Sequence, residues 1–406
     1  MTVPHTPART TAFSPIAWAD PAREQAFHTW LQATATPHGL DVSSLRLASA
    51  DASFRRYFRL DVHPSGSCII MDAPPDKEDC QAFVKVAGLM AQASLNAPRV
   101  LAWDQTAGFM LLSDLGAQTM MEVIAPPLPV DAIAQPAAEH YELYMQATDA
   151  LVRWQLSSKP GVLPPYDDAL LSRELALFPD WYVARHRAFA LTATQQSVLD
   201  DAYLHIKASN LQSLGGSQVF VHRDYMARNL MVHEAPTGAP TLVASRTSLP
   251  PKGANFPRGG PSENSGLAPQ TAYGLGILDF QDAVYGPITY DIASLMRDAF
   301  LTWEEDFVLD ITVRYWQKAR KAGLPVGDDF GEFYRAVEWM GLQRHLKILG
   351  IFARLTLRDG KPKYLADTPR FIKYVRATAA RYRQLGPLMV LLDAIEGNET
   401  RVGYTF

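Results

Sequence analysis

The hydrophobic rhythm of the chain changes once, near residue 115. Before that point apolar residues come in short bursts bounded by Gly, Pro, Asp and Ser. The runs LRLAS (45–49), FRRYFRL (54–60), SCIIM (67–71), PRVLA (98–102) and GFMLL (108–112) predict five strands. A helix is predicted over 20–36, with Asp20 as N-cap and Pro21 at the first helical position. A second is predicted over 77–95, where Phe83, Val86, Ala87 and Met90 fall on one face. The stretch 123–137, rich in Pro and Ala, reads as a connection. Beyond it the spacing is helical, predicting helices at 138–157, 167–190, 193–212, 290–321, 328–357 and 368–396. Two strand-like interruptions, 218–233 and 276–280, are flanked by polar loops.

One segment fits neither rhythm. Between 235 and 274, Pro, Gly and Ser fill 17 of 40 positions. Such a segment buries too little surface to offset its ordering entropy, so an insertion at the tip of a hairpin is expected. Three units follow: residues 1–115, residues 116–406, and the 235–274 insertion within the second.

Composition adds bounds. Of 406 residues, 48 % are hydrophobic and 20 % charged, with a net charge of -4. This is globular composition with no field that draws the whole chain to nucleic acid or to an anionic membrane. The N-terminal stretch lacks the apolar core of a leader, and runs such as PLMVLLDAI fall short of the ~20 apolar residues needed to span a bilayer. Cys68 and Cys80 read as reduced thiols, and no CxxC or Cys/His cluster offers a zinc site. A cytoplasmic monomer with no membrane or nucleic-acid partner is the expectation.

Three motifs carry chemistry. His222-Arg223-Asp224 followed by Asn229 matches the phosphoryl-transfer loop H-R-D-x-x-x-x-N. In that pattern the Asp faces the acceptor hydroxyl and the Asn faces a magnesium ion on the phosphates of ATP. In Ile277-Leu278-Asp279-Phe280-Gln281, an Asp at a strand end adds a second hard-oxygen ligand. In Gly286-Pro287-Ile288-Thr289-Tyr290-Asp291, a turn opens a helix whose first-turn Asp291 is placed to stiffen the loop by hydrogen bonding. His222 and Arg223 are expected to support the same loop.

The stretches HRDYMARN and LDFQDAVYGPITYDIASL resemble the aminoglycoside/choline phosphotransferase superfamily over roughly residues 40–380. With SFRRYFRL, IIMDAPPDKED, FMLLSDLG and QRHLKILGIFARL, the chain is similar to the bacterial anomeric N-acetylmuramate/N-acetylglucosamine kinases. The resemblance implies an α+β, bilobal protein-kinase-like fold with a small antiparallel-sheet N-lobe and a mainly helical C-lobe. It implies ATP and Mg2+ as cofactors and an amino-sugar substrate phosphorylated at C1 for cell-wall recycling. Asp224 would be the base, and Asn229 and Asp279 the metal ligands. The backbone of Ser113, Asp114 and Leu115 would meet the adenine edge.

The departures concern phosphate binding. The third strand, Cys68-Ile69-Ile70-Met71-Asp72, has no Lys, and no G-x-G-x-x-G follows the first strand. Ser53 and the amides of its turn are expected to touch the phosphates, with Arg55 or Arg56 supplying positive charge. Lys77 and Glu78 offer another pair. For the acceptor, Arg228, Arg297, Asp298, Arg344 and His345 are candidates, with Lys347 beside them, because Arg grips a carboxylate with two hydrogen bonds. Rival readings are a protein kinase, a kinase of a cationic acceptor such as an aminoglycoside or choline, and a non-catalytic nucleotide-binding module. The missing Gly-rich loop and strand Lys disfavour the first. The arginines on the acceptor helices disfavour the second, and the intact Asp224, Asn229 and Asp279 disfavour the third.

Overall fold

The computed structural model describes residues 16–50, 54–124, 133–232 and 274–398. Ser53 and the expected insertion, apart from Gly274, lie outside them. The chain opens with α1 (Pro21–His38), where the Asp20 carboxylate accepts from the Ala22 amide at 2.9 Å. Then come β1 (Leu40–Ala50), β2 (Arg56–Val62), β3 (Ser67–Asp72), α2 (Gln81–Gln92), β4 (Val100–Asp104) and β5 (Phe109–Ser113). The strands form one antiparallel sheet in the order β1-β2-β3-β5-β4.

Strand alternation sorts this sheet into two faces. Phe58, Leu60, Ile70, Phe109 and Leu111 pack beneath Phe27 and Leu31 of α1. Met71, Met110 and Leu112 join the larger core with Phe83, Val86 and Met90 of α2. Each fully buried Phe or Ile adds roughly 1.5–3 kcal/mol relative to exposure, so this double burial fastens both helices to the sheet. The alternation also sends Arg56 to the α1 side. There it makes two hydrogen bonds to Asp72, at 3.0 and 2.6 Å, and lies over the Trp18 ring at 3.9 Å.

The second part begins with β6 (Gln118–Thr119) and α3 (Met120–Ile124), followed by α4 (Ala138–Leu156) and α5 (Asp168–Leu177). A π-helical stretch Phe178–His186 continues α5, and α6 (Ala193–Gln212) follows. Four short strands come next: β7 (Gln218–Val221), β8 (Leu230–Val232), β9 (Gly276–Ile277) and β10 (Val284–Pro287). The remainder is α7 (Thr289–Met296), α8 (Glu305–Lys321), α9 (Phe330–Leu357), α10 (Thr368–Arg381) and α11 (Gly386–Glu396). α9 is buried along most of its length and forms the axis of this part. A Cβ on Gly350 would stand 2.2 Å from the Leu177 carbonyl oxygen, so only glycine lets α9 approach the end of α5 so closely.

Three predicted helices are broken. The 167–190 helix widens into π geometry at Phe178-Pro179, where proline has no N–H to offer the α-helical ladder. The 368–396 helix is interrupted by a 3-10 turn at Arg383–Leu385. The 290–321 helix stops at Met296, because the buried Asp298 carboxylate turns the chain by accepting from the amides of Ala227 and Phe300. No described helix is long and apolar enough to cross a membrane.

Candidate active site

Two hairpin-like pairings aim the chemistry. β7 pairs with β10, Val221 opposite Val284, and β8 pairs with β9, Leu230 opposite Ile277. The loop 222–229 and the loop after Ile277 therefore emerge side by side. At Gly286 a Cβ would lie 2.5 Å from the Tyr166 side chain, so glycine is required for β10 to pack there.

The 222–229 loop is held on several sides. Asp291, fully buried at the start of α7, accepts from the amides of His222 (2.7 Å) and Arg223 (3.0 Å). His222 Nε2 donates to the Leu278 carbonyl at 2.9 Å, while Nδ1 accepts from the Asp224 amide at 3.3 Å. That pattern needs a neutral imidazole, and burial lowers the His222 pKa accordingly. Arg344 donates to the Arg223 carbonyl at 2.6 Å, and Tyr225 donates to the Ala147 carbonyl at 2.8 Å. Arg223 (φ +77°) and Asp279 (φ +63°) both sit in the left-handed region, at a cost of about 1–3 kcal/mol each that the surrounding bonds must hold in place.

Beneath the loop lies a carboxylate that the sequence did not single out. Glu174, 4 % exposed, accepts from Arg223 (2.5 Å), Lys347 (2.8 Å), Gln343 (2.9 Å) and Tyr166 (2.7 Å). Burial alone would raise its pKa, but the Lys347 and Arg223 charges outweigh burial and bring it down to about 2. An acid among the leucines of α5 was its one sequence signal.

Two cavities open on this loop. One, of about 480 Å³, lies between the sheet and the second part. Ile69 and Leu112 line its sheet side, Met231 and Leu278 its floor, and residues 113–116 one edge. The other, of about 260 Å³, lies between the loop and α9, lined by Asp224, Phe300, Arg344, Lys347, Phe352 and Tyr364. Arg228, Asn229 and Asp279 line both cavities, so the two meet there. Among the described residues none donates a hydrogen bond to the Asp224 carboxylate, while Asn229 Nδ2 donates to the Asp224 carbonyl (2.9 Å) and to Asp279 (3.3 Å).

The structure thus gathers Asp224, Asn229, Asp279, His222, Arg223, Asp291, Arg228 and Arg344 around one point, and it disperses other candidates. Arg56 is committed to Asp72 on the far face of the sheet, which corrects the expectation that it reaches the phosphates. Arg55, one residue before β2, pairs with Glu78 at 2.9 Å, and Lys77 pairs with Asp76, so Lys77 and Glu78 are not a pair. Ser113, Asp114 and Leu115 do line the larger cavity, with the Asp114 carboxylate filled by Arg59 (2.6 and 3.0 Å), Ser67 and the Gly116 amide. Ser113 closes the end of the sheet by bonding the Arg99 amide, and Leu115 is buried. Arg297 is tied by two bonds to Glu305, Asp298 turns the backbone, and buried His345 stacks on Tyr374 at 4.6 Å. These three do not line the cavity between the loop and α9. Arg59, not singled out from the sequence, lines the larger cavity. Its signal was the period-2 register it shares with Arg55 and Tyr57.

The phosphotransferase enzyme family model matches residues 44–241 and 271–329. An N-acetylmuramate/N-acetylglucosamine kinase of Neisseria meningitidis serogroup B is 41 % identical over 95 % of this chain and 99 % of its own. A kinase of the same description from Pseudomonas aeruginosa is 41 % identical over 93 % of this chain and 98 % of its own. Among solved structures, an amicoumacin kinase in complex with AMP-PNP, Ca2+ and Ami superposes with a TM-score of 0.52 at 13 % identity, covering 88 % of this chain and 96 % of that one, which shows a shared protein-kinase-like fold. With a family model matching most of its length and relatives alike from end to end, the chain belongs to the phosphotransferase enzyme family.

Proposed function

We propose that the protein transfers the γ-phosphoryl group of ATP to the anomeric C1 hydroxyl of N-acetylmuramic acid and N-acetylglucosamine. It would act as a cytoplasmic monomer supplying sugar 1-phosphates to peptidoglycan recycling. One observation carries the reaction class: a nucleotide-sized cleft and a smaller pocket meet at Arg228, Asn229 and Asp279, with Asp224 on the pocket side alone. The acceptor rests on the relatives, which carry that activity in their names, and on the pocket's chemistry. Arg228 and Arg344 set positive charge opposite the Asp224 and Asp279 carboxylates, Lys347 is paired with Glu174, and Phe300, Phe352 and Tyr364 offer flat apolar faces. That lining suits a neutral or anionic sugar with an acetyl group better than a polycation.

The adenine would lie between Ile69 and Leu112 above and Met231 and Leu278 below, its edge toward the 113–116 backbone. Asp224 would orient the acceptor hydroxyl and receive its proton, and its carboxylate is open to do so. An anomeric hydroxyl is more acidic than an ordinary alcohol, so a carboxylate suffices as base. The bonds from Asp291, His222 and Arg344 hold Asp224 in place, and positioning supplies much of the rate in such reactions. Asn229 turns its amide nitrogen to Asp224 and Asp279, leaving Oδ1 as a ligand oxygen beside the Asp279 carboxylate. Two hard-oxygen groups fit magnesium, whose remaining positions phosphates and water fill. When bound there, the ion would neutralise charge on the phosphate oxygens. The test is to locate the phosphate of each sugar product by phosphorus–proton coupling. Coupling to the anomeric proton is expected, and coupling at another carbon would refute C1 transfer.

A further inference from the structure

We propose that Arg228 is a further catalytic residue, an arginine supplied in cis that clamps the phosphoryl group as it passes from ATP to the acceptor. The inference rests on the kinase reading above and adds to it the source of positive charge that β3 lacks.

The cations near the site are nearly all committed. Arg55 pairs with Glu78, Arg59 with Asp114, and Lys347 with Glu174, while Arg344 donates to the Arg223 carbonyl. Arg228 differs. It is exposed, and among the described residues no hydrogen-bond acceptor and no carboxylate within ion-pair distance engages its guanidinium, which acts on the buried Asp298 carboxylate only through its charge. Its planar head lies over the Phe300 ring at 4.9 Å. That contact fixes the stem while leaving the guanidinium donors unspent. The backbone beneath it is rigid, because Ala227–Asn229 forms a 3-10 turn whose Ala227 amide is bound by buried Asp298 at 3.2 Å. The side chain therefore stands at the seam of the two cavities, between the proposed base and the metal ligands.

That seam is where charge develops. In the transfer, the acceptor oxygen–phosphorus bond forms as the bond from phosphorus to the β-phosphate oxygen breaks. The hydroxyl proton passes to Asp224, and the electron pair of the broken bond stays on ADP. Negative charge spreads over the three equatorial oxygens in flight, and a guanidinium fork matches two of them.

Arg228 could instead grip the lactyl carboxylate of N-acetylmuramic acid, and the two sugars separate these roles because N-acetylglucosamine has no carboxylate. The experiment measures kcat and KM for both sugars, and ATP hydrolysis without sugar, in wild type, Arg228→Gln and Arg228→Lys, with melting temperature and ATP affinity alongside. The expected result is a kcat loss of roughly 10²–10³ in Arg228→Gln. It should be equal for the two sugars, with sugar KM and melting temperature unmoved and Arg228→Lys partly active. Added guanidinium ion should restore part of the rate of Arg228→Ala. A loss confined to N-acetylmuramic acid and carried in KM would overturn the proposal and assign Arg228 to the carboxylate. An unchanged kcat, or a loss explained by a lower melting temperature, would also overturn it. Should wild type phosphorylate neither sugar, the acceptor reading fails by itself. Slower sugar-free ATP hydrolysis in Arg228→Gln would then still support the clamp, and an unchanged rate would refute it.

Discussion

Asp72 and Glu174 are both buried carboxylates clasped by two cations, yet they hold different things. Asp72, 1 % exposed, binds Arg23 of α1 and Arg56 of β2 and so ties the first helix to the sheet. Glu174 binds Arg223 of the left-handed loop before Asp224 and Lys347 in the smaller cavity beside α9. The ion-pair chemistry is the same in both regions. The difference is whether the backbone being fixed carries reacting groups. A buried ion pair is weak evidence for stability by itself. Under the loop its value lies in geometry.

The largest effect should come from removing each carboxylate. Glu174→Gln strips the counter-charge from Lys347, only 10 % exposed, as well as from Arg223, so a loss of about 3–5 kcal/mol is expected in denaturant unfolding. The kcat per folded molecule should fall with it. Arg23 and Arg56 are 18 % and 29 % exposed and can turn to solvent, so Asp72→Asn should cost a smaller ~1–3 kcal/mol and leave kcat unchanged. Equal kcat losses in the two variants would erase the distinction.

Acid titration sharpens it further. The Glu174 carboxyl is about 2 in the folded protein against 4.5 ordinarily, so the unfolded chain binds the proton first. Its contribution is fully present above pH 4.5 and is lost as pH falls through that value toward 2. Stability curves of wild type and Glu174→Gln should therefore converge over that window. Parallel curves would mean that Glu174 is not held as described. The smallest effect is a null one: Arg56→Gln should leave the KM for ATP unmoved, since Arg56 faces Trp18 and Asp72 rather than the cleft. A raised KM would return Arg56 to the phosphates.

The same contrast explains what was legible in the sequence. The five strands, α1, α2 and the loop motif are written in local pattern, and their expected positions fall within a few residues of those observed. The break after Met296 is only partly local. Residues 297–304 have helix-compatible composition, and the Asp298 carboxylate that ends the helix caps the Phe300 amide two residues on while holding the distant Ala227 amide. Arg56 looked like a phosphate ligand because it neighbours the turn, but strand alternation points it to the face of Phe58 and Leu60, which α1 covers. Glu174 was invisible because one acid in a helix reads as solvated until α9 brings Lys347 and Gln343 onto it.

The measurement that bears most directly on the site is single-turnover ATP consumption with N-acetylmuramic acid and N-acetylglucosamine, wild type beside Asp224→Asn. Removing a general base is expected to slow turnover by about 10²–10⁴ for both sugars, with ATP affinity and melting temperature unchanged. A variant as fast as wild type would show that Asp224 is not the base and that the loop's open carboxylate serves another purpose.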